Sequence, residues 1–555
     1  MLNNPHADLD SSRLIMDSRR VTTGVCLLGI ALLVLLPGLT QGLNWDEFWL
    51  VAQGRALLAR GDTDAYKPLA GALAVPFLGM ESPWVGLRLG WLVFQGLLAV
   101  ILWRMMPGRW SSQWRVLFIG LLWLEPTFRE RVLEVRTDAP VLILLAFASM
   151  TWFESPSRPV RTGLAIGLAM ALTPRSLMWV LPWFLGAWLL DAGPGKARRL
   201  GWTAGVAICF AGALWWMVAS WTHRSVADLL RDGARIGALA AHSGRSLFSP
   251  NSLYYLWQTL RMGLPFYALA GWGLTRLVFP KDRSAWGEAP AWAHLSIMGV
   301  AVFAMTPFYD GAFPYHFIGV IPCLLPLVAT GLEDLMARAG RPAAFGAAAL
   351  ALGFAFIAAA PLLKGPSLKD QMSFLAYMRN YLHPGLGYVD GIGGLKQPQS
   401  APFVTAKVAA FPENQDLGTR WDRERVSLFV LNGRSEQLFS PANITWVKPR
   451  MVQIHPNLLV LGTGVEVHGR RSYEGAWTVP WNAPFQFFGT PSWRWTVNGK
   501  IVQQGTRLEL PEGKVVIQGQ GEGNAAFGLV LAADGHQPPA RPLYPFFMPF
   551  QREGW

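Results

Sequence analysis

Two adjacent carboxylates stand at the start of the segment Asn44-Trp45-Asp46-Glu47-Phe48-Trp49. From Asp46 to Arg60 apolar residues recur at helical spacing, which predicts an amphipathic helix lying along a membrane interface. A carboxylate held there could act as a general base, and two carboxylates could bind a divalent cation. A structural interpretation stays open: Asp46 could cap the helix and Glu47 could complement its dipole.

Other polar side chains are candidates for binding a phosphate or another polar ligand. In chain order they are Lys67, Arg129, Arg131, Arg136, Asp138, Arg175 and His316. Arginine suits phosphate because its planar fork donates two parallel hydrogen bonds. The arginines of residues 129–136 could instead pair with neighbouring glutamates, and His316 could be an interfacial anchor. Arg175 differs, because it lies at a tight turn between two apolar helices, where an unpaired charge is costly.

The elements that position these residues are predicted to be membrane-spanning helices. The chain is 52% hydrophobic and only 15% charged, below the roughly 25% charged residues of soluble domains. Apolar blocks of about 20 residues recur, which is the length needed to cross a bilayer. About eleven spans are predicted, at residues 21–40, 84–103, 114–124, 139–153, 163–172, 177–190, 202–221, 253–278, 291–308, 317–335 and 345–363.

Basic residues in alternate loops predict the orientation of this bundle. Every loop assigned to the cytoplasm carries at least two of them, as expected for a bacterial inner-membrane protein. This arrangement predicts a cytoplasmic tail (1–20), a membrane domain (21–364) and a periplasmic C-terminal domain (365–555). The arginines at 129, 131 and 136 lie on the outer side against the rule, which suggests that something anionic is held there.

The C-terminal part is predicted to be a strand-rich α/β or β-sandwich-like domain. Short apolar runs occur at 426–431, 458–462, 493–497 and 514–518, and Asn498-Gly499 is a strong signal for a two-residue hairpin. Its tryptophans could stack on sugar rings, although a core position is the favoured interpretation. They are Trp421, Trp446, Trp477, Trp481, Trp493 and Trp495.

Composition and motifs argue against several other classes of protein. The net charge of +13 arises from short basic clusters between apolar blocks, so no continuous nucleic-acid-binding face is expected. All three cysteines fall inside apolar blocks, so no disulfide is expected in the C-terminal domain. The sequence contains no phosphate-binding glycine loop, zinc-ligand spacing or nucleophile elbow.

The segment at Asp46 resembles the first outer loop of the GT-C membrane glycosyltransferases, which use polyprenyl-phosphate sugars and include protein O-mannosyltransferases and bacterial aminoarabinose transferases. In that family an Asp, often followed by Glu, begins a juxtamembrane helix after the first span. Leu133–Pro140, Leu172–Arg175 and Tyr315-His316 are similar to further segments of the family. Arg175 stands where the family usually has a lysine, and Pro174 is an added departure. The resemblance covers roughly residues 20–365.

The resemblance implies a GT-C fold and an inverting transfer of a hexose or pentose from a polyprenyl-phosphate carrier. The acceptor would be an envelope glycolipid, polysaccharide or protein at the periplasmic face. Asp46 takes the role of base with Glu47 as its companion, and a divalent cation such as Mg²⁺ or Mn²⁺ at this pair stays open. The alternatives are a flippase of a lipid-linked sugar, a polyprenyl-diphosphate-dependent ligase and a non-catalytic envelope protein. A flippase should carry ionisable residues at mid-span, whereas here the charges cluster at the outer ends. A further hypothesis is that the C-terminal domain holds the acceptor.

Overall fold

A computed structural model describes the chain over most of its length. The described residues are 39, 45–60, 67, 69–80, 82–131, 133–231, 250–278, 289–306, 317–359, 368–390, 412–432 and 435–534. The chain divides into two compact units, residues 1–365 and 366–555. The first is helical and the second is rich in strands. Of the predicted span 21–40 only Leu39 lies within the described residues.

The helices of the first unit follow the predicted apolar blocks closely. They are α1 (Trp45–Leu58), α2 (Pro83–Met105), α3 (Ser112–Leu124), α4 (Pro126–Arg131), α5 (Asp138–Glu154), α6 (Pro159–Leu172), α7 (Leu177–Leu190), α8 (Lys196–Trp221), α9 (Pro250–Met262), α10 (Leu264–Val278), α11 (Pro290–Met305) and α12 (Phe317–Ala359). A 3₁₀ turn at Pro174–Ser176 joins α6 to α7. The last two predicted spans lie on α12, which kinks at Gly340.

One predicted span is not a single helix. Residues 253–278 form two helices, α9 and α10, which meet at Gly263. Pro265 follows at the second position of α10, where its missing N–H and fixed backbone angle suit a helix start and disfavour a continuous helix. The apolar pattern runs through this junction, which is why it predicted a single span.

Small residues let the helices of this unit approach one another closely. A Cβ added at Gly163 of α6 would lie 2.8 Å from the Thr203 carbonyl oxygen of α8. A Cβ added at Gly167 would lie 2.7 Å from the Ala207 carbonyl oxygen, also on α8. Glycines four residues apart allow this close backbone contact between membrane helices. Helices α5 and α7 also pack against α11, where Ser149 Oγ lies 2.8 Å from His294 Nδ1 and accepts a 2.9 Å hydrogen bond from Trp183 Nε1. The buried polar groups of this contact therefore satisfy one another.

Three helices within the described residues are long and apolar enough to cross a membrane. They are Pro83–Met105, Lys196–Trp221 and Phe317–Gly340, and four shorter apolar helices are Ser112–Leu124, Pro159–Leu172, Leu177–Leu190 and Pro290–Met305. Large apolar side chains point outward from these helices, among them Val93, Trp202 and Trp216. An apolar exterior of this kind fits a helical body that lies in lipid. The total of eleven spans stays a prediction.

The second unit contains two sheets and short helices. Its helices are α13 (Leu368–Arg379), α14 (Pro412–Gln415), α15 (Gly418–Arg423) and α16 (Pro441–Val447). Its strands are β1 (Gly387–Val389), β2 (Val426–Val430), β3 (Met451–His455), β4 (Leu458–Val467), β5 (Ser472–Val479), β6 (Ala483–Gly489), β7 (Arg494–Val497), β8 (Lys500–Val502), β9 (Arg507–Leu510), β10 (Gly513–Gln520) and β11 (Ala525–Leu531). One sheet has the order β1-β2-β4-β11-β6-β9 with β3 also paired to β4, and the other has the order β5-β10-β7-β8. The predicted strand-rich domain is confirmed.

Two further predictions for this unit are also confirmed. Asn498 and Gly499 both have positive φ angles, 48° and 76°, as a two-residue hairpin turn between β7 and β8 requires. The six tryptophans are all buried and at most 8% exposed. Trp493 and Trp495 stack on each other, and Trp446 stacks on Trp481. These side chains therefore form the core of the unit, which was the favoured interpretation.

Candidate active site

The first turn of α1 carries the adjacent carboxylates. Asp46 and Glu47 are the second and third residues of the helix, so both complement its positive end. The amphipathic prediction for α1 is wrong in one respect, because residues 47–51, more than a full turn, are all buried. The 3₁₀ turn Ala70–Leu73 packs closely against the middle of the helix: a Cβ at Gly71 would lie 2.7 Å from the backbone of Gln53. The two carboxylates are thus held on a packed element.

Asp46 forms an ion pair with Arg136, which precedes α5. Its Oδ2 contacts Arg136 Nη1, and Arg136 Nε donates to Glu134 Oε2 at 2.7 Å. The predicted pairing of Glu134 with Arg136 therefore exists, but the same guanidinium also reaches Asp46. The Asp46 side chain is 29% exposed, against 10% for Arg136. A contacting guanidinium favours the ionised carboxylate, and the remaining exposure leaves Asp46 open to a substrate.

Glu47 forms a different kind of pair with a residue of α2. Arg88 Nε and Nη2 donate to the two carboxylate oxygens of Glu47 at 2.7 and 2.9 Å. Both side chains are almost fully enclosed, at 3% and 0% exposure. Arg88 Nη1 also donates to the Leu39 carbonyl oxygen at 3.3 Å. This bidentate pair fastens the first turn of α1 to α2, and its charges lie where water cannot solvate them.

The residues at this turn do not fit the divalent-cation site considered from the sequence. Both oxygens of Glu47 accept hydrogen bonds from Arg88, and Asp46 contacts Arg136. Within the described ranges no group of three or more His, Cys, Asp or Glu side chains could hold a metal ion. A hard cation needs several oxygen ligands that are not already bound to guanidinium groups.

Arg129 stands apart from the other candidate arginines. It lies on α4 and is half-buried, and burial lowers the pKa of its guanidinium. In the part of the chain that the structure describes, its side chain forms no hydrogen bond or ion pair. Arginine stays protonated at neutral pH even so. A half-buried, unpaired cation of this kind is suited to an anionic ligand.

The other predicted site residues occupy several positions. Arg175 is half-buried in the 3₁₀ turn between α6 and α7, the predicted short-helix pair. Lys67 Nζ lies 5.2 Å from the centre of the Trp49 ring, which places it beside α1. Asp138 is the first residue of α5 and half-buried. Arg131 ends α4, although its side chain lies outside the described residues, as does the whole of His316.

Sequence reasoning missed Arg88. An arginine five residues into a predicted span is a signal in itself, because a charge at that depth needs a partner. The partner, Glu47, was already a candidate, but the two residues lie 41 positions apart. No periodicity or motif links them, so the pair was visible only in the structure.

Comparison with solved structures identifies the fold. The structure of ArnT from Cupriavidus metallidurans in the apo state matches with a TM-score of 0.50 and 13% identity, over 77% of this chain and 89% of that chain. ArnT from the same organism bound to undecaprenyl phosphate matches with a TM-score of 0.51 and 13% identity, over 90% and 98%. No protein-family model matches the sequence, and no curated protein is detectably similar to it. The chain therefore has an ArnT-like fold, with a helical unit followed by a strand-rich unit as its sequence predicted.

Proposed function

We propose that this chain is an inner-membrane glycosyltransferase that moves one sugar from a polyprenyl-phosphate carrier to an envelope acceptor at the periplasmic face. The observation that carries the proposal is Asp46, a partly exposed carboxylate held by Arg136 at the start of a packed helix. The fold supports it, because ArnT shares that fold and binds undecaprenyl phosphate. The donor's lipid tail would stay in the bilayer and its phosphate would lie at the interface beside α1.

In the proposed reaction the Asp46 carboxylate takes the proton of an acceptor hydroxyl. The acceptor oxygen forms a bond to the anomeric carbon, while the bond from that carbon to the phosphate oxygen breaks. The bonding electrons leave with the polyprenyl phosphate, and attack from the opposite side inverts the anomeric centre. A positioned base contributes about 10²–10⁴-fold to such a proton transfer. The cations stabilise the charge that develops on the leaving phosphate.

The remaining site residues take supporting roles in this proposal. Arg129 binds the phosphate, since its half-buried guanidinium has no partner among the described side chains. Arg136 orients Asp46 and keeps it ionised. Glu47 is a positioning residue, because both of its oxygens are held by Arg88. Further candidates for contacts to the phosphate or the acceptor are Lys67, Arg131, Asp138, Arg175 and His316.

Mass spectrometry of envelope glycans and glycoproteins from a deletion strain tests the proposal. The strain is complemented with the wild type, with Asp46→Asn or with Asp228→Asn, each expressed to the same level. Asp228 is a matched control, since it forms a solvent-exposed pair with Arg231 at 3.3 Å. We expect one sugar to disappear on deletion and to return with the wild type and Asp228→Asn only.

Two other outcomes would overturn parts of the proposal. Full restoration of the sugar by Asp46→Asn would leave Asp46 as a structural residue and remove the proposed base. Loss of an entire oligosaccharide, in place of a single sugar, would favour a ligase that uses a polyprenyl-diphosphate donor.

A further inference from the structure

A cleft within the second unit is not used by the proposed reaction. It has a volume of about 600 Å³ and is partly open. One wall contains Asp422, Arg425 and Arg450, and the other contains Trp477 of β5 and Glu512 before β10. Its size lies within the roughly 300–1,000 Å³ of small-ligand pockets.

Part of the cleft is fixed in place by a contact network around Trp446. Arg450 Nη1 donates to the Trp446 carbonyl oxygen at 3.1 Å, and its guanidinium lies 4.9 Å from the centre of the Trp446 ring. Trp446 Nε1 in turn donates to Asp422 Oδ1 at 2.9 Å. Trp446 is itself buried. This wall therefore presents an arginine and an aspartate whose positions are set by the core of the unit.

Two other charged groups of the cleft are free to meet a ligand. Within the described residues the side chains of Arg425 and Glu512 form no hydrogen bond or ion pair, and both are exposed. Their charges are opposite, and so are those of Asp422 and Arg450. Asp422 and Arg450 already pair with each other, with Arg450 Nε 3.9 Å from Asp422 Oδ1. A ligand with a net charge would meet a like charge in the cleft, whereas a neutral ligand that both donates and accepts hydrogen bonds would satisfy both Arg425 and Glu512.

The backbone at the cleft disfavours a peptide ligand. β5 is an edge strand, which could in principle pair with an added strand. Trp477 Nε1, however, donates to the Pro449 carbonyl oxygen at 3.2 Å, which ties the turn at 449 to this strand. Pro480 follows β5 and also lines the cleft, and proline has no N–H to donate to a sheet. A strand added at β5 could therefore not extend past residue 479 along the cleft.

We propose that this cleft binds a neutral, hydroxyl-rich carbohydrate, namely the glycan portion of the acceptor. The identity of the ligand as the acceptor rests on the proposed transferase function, whereas the binding of carbohydrate rests on the cleft alone. Sugar hydroxyls donate and accept together, so they match paired cationic and anionic side chains.

Saturation-transfer NMR of the full-length protein in nanodiscs tests this proposal. The probes are three neutral trisaccharides (maltotriose, mannotriose and cellotriose), trigalacturonic acid and a neutral hexapeptide rich in Ser and Thr. We expect at least one neutral trisaccharide to bind, and to bind about tenfold more weakly to the Arg425→Met/Glu512→Gln variant, since two hydrogen bonds to charged groups are lost. The control variant Arg423→Met/Glu522→Gln alters exposed residues outside the lining of the cleft and should bind as the wild type does.

The remaining outcomes separate this proposal from the transferase proposal. Absence of signal from all three neutral trisaccharides at millimolar concentration, or binding that the Arg425/Glu512 variant does not weaken, would overturn the carbohydrate site. A stronger signal from the hexapeptide or from trigalacturonic acid would overturn it as well. Asp46→Asn should retain the trisaccharide signal, because Asp46 lies in the other unit. If Asp46→Asn proves active while the cleft still binds carbohydrate, the base assignment fails and the cleft stands.

Discussion

Charged side chains are placed differently in the two units of the molecule. In the helical unit Arg88 and Glu47 form a bidentate pair at 3% and 0% exposure. In the strand-rich unit Arg420 pairs with Glu424 at 41% and 33% exposure, typical of a solvated surface. A surface pair contributes about 0–1 kcal/mol, whereas a buried charge without its partner costs several times more. An enclosed charged residue of the helical unit, such as Arg88, is therefore far more informative about its surroundings than one on the solvated surface of the strand-rich unit.

The tryptophans also differ in placement between the two units. Those of the strand-rich unit fill its core, with Trp421 and Trp495 at 0% and 2% exposure. On α8 of the helical unit Trp202 and Trp216 point outward, at 59% and 66% exposure. Water drives aromatic side chains inward, whereas lipid accepts them on the surface. In the helical unit tryptophan therefore occurs in both settings, since Trp183 is buried at 0% exposure, whereas the six described tryptophans of the strand-rich unit all lie in its core.

The largest expected effect is the loss of the buried pair. Replacing Arg88 by Met removes the partner of a fully enclosed carboxylate and should destabilise the protein by about 3–5 kcal/mol. Arg136→Met is the matched change in the more exposed pair, where water can reach Asp46, so its effect should be clearly smaller. The measurement is the midpoint of heat-induced unfolding of the detergent-purified protein, followed by fluorescence. The double variant Glu47→Gln/Arg88→Met should recover part of the loss, because no unpaired charge remains buried.

Equal losses of stability in Arg88→Met and Arg136→Met would contradict this distinction between the two pairs. So would a double variant that is no more stable than Arg88→Met.

The next prediction separates chemistry from stability at adjacent positions. Asp46→Asn should lower kcat by about 10²–10⁴-fold, since an amide cannot take the acceptor proton, and the unfolding midpoint should change little. Glu47→Gln should show the opposite pattern, with a lowered midpoint and a smaller loss of kcat per folded molecule. Both are measured with the sugar donor that the glycan analysis identifies. If the two variants lose activity equally at unchanged stability, Glu47 takes part in the chemistry.

The sequence predicts the helical unit well because its signals are physical requirements of a bilayer. A span needs about 20 apolar residues, so the blocks that became α2 and α8 stand out. The break at Gly263 was not predicted because the apolar composition continues across it. Only the following Pro265 marks the boundary between the two helices. In the strand-rich unit, Asn498-Gly499 predicted the hairpin, because few other residues adopt the backbone angles of a two-residue turn.

The site was predictable in its residue types but not in its pairings. Asp46, Glu47 and Arg136 were all identified as candidates. That Arg136 contacts Asp46 while Arg88 holds Glu47 depends on how α1, α2 and the loop before α5 pack. No local pattern encodes contacts over 90 and 41 positions.

Arg129 provides a prediction of intermediate size. Arg129→Gln removes a half-buried cation that has no partner among the described residues, so kcat/KM for the donor should fall by about 10–100-fold, as expected for hydrogen bonds to a charged group. Arg129→Lys keeps the charge but loses the bidentate fork and should recover only part of this loss. Stability should not fall in either variant, because no pair is broken. Full activity in Arg129→Lys would show that the positive charge alone is needed. An unchanged kcat/KM in Arg129→Gln would show that Arg129 does not belong to the site.

The smallest expected effect lies in the strand-rich unit and comes from a change at an uncharged residue. Gly499 has a φ of 76°, and a Cβ added there would meet nothing within 4 Å. Gly499→Ala should therefore cost about 1–2 kcal/mol through the backbone angle alone. Hydrogen exchange of the full-length protein should detect this as exchange about five- to thirtyfold faster in residues 494–502, with other segments unchanged. Asn498→Asp is the matched control, because it tolerates a positive φ and keeps the oxygen that accepts from the Val516 N–H at 2.8 Å. Faster exchange in the control, or none in Gly499→Ala, would mean that this hairpin is not held by the conformation of its turn.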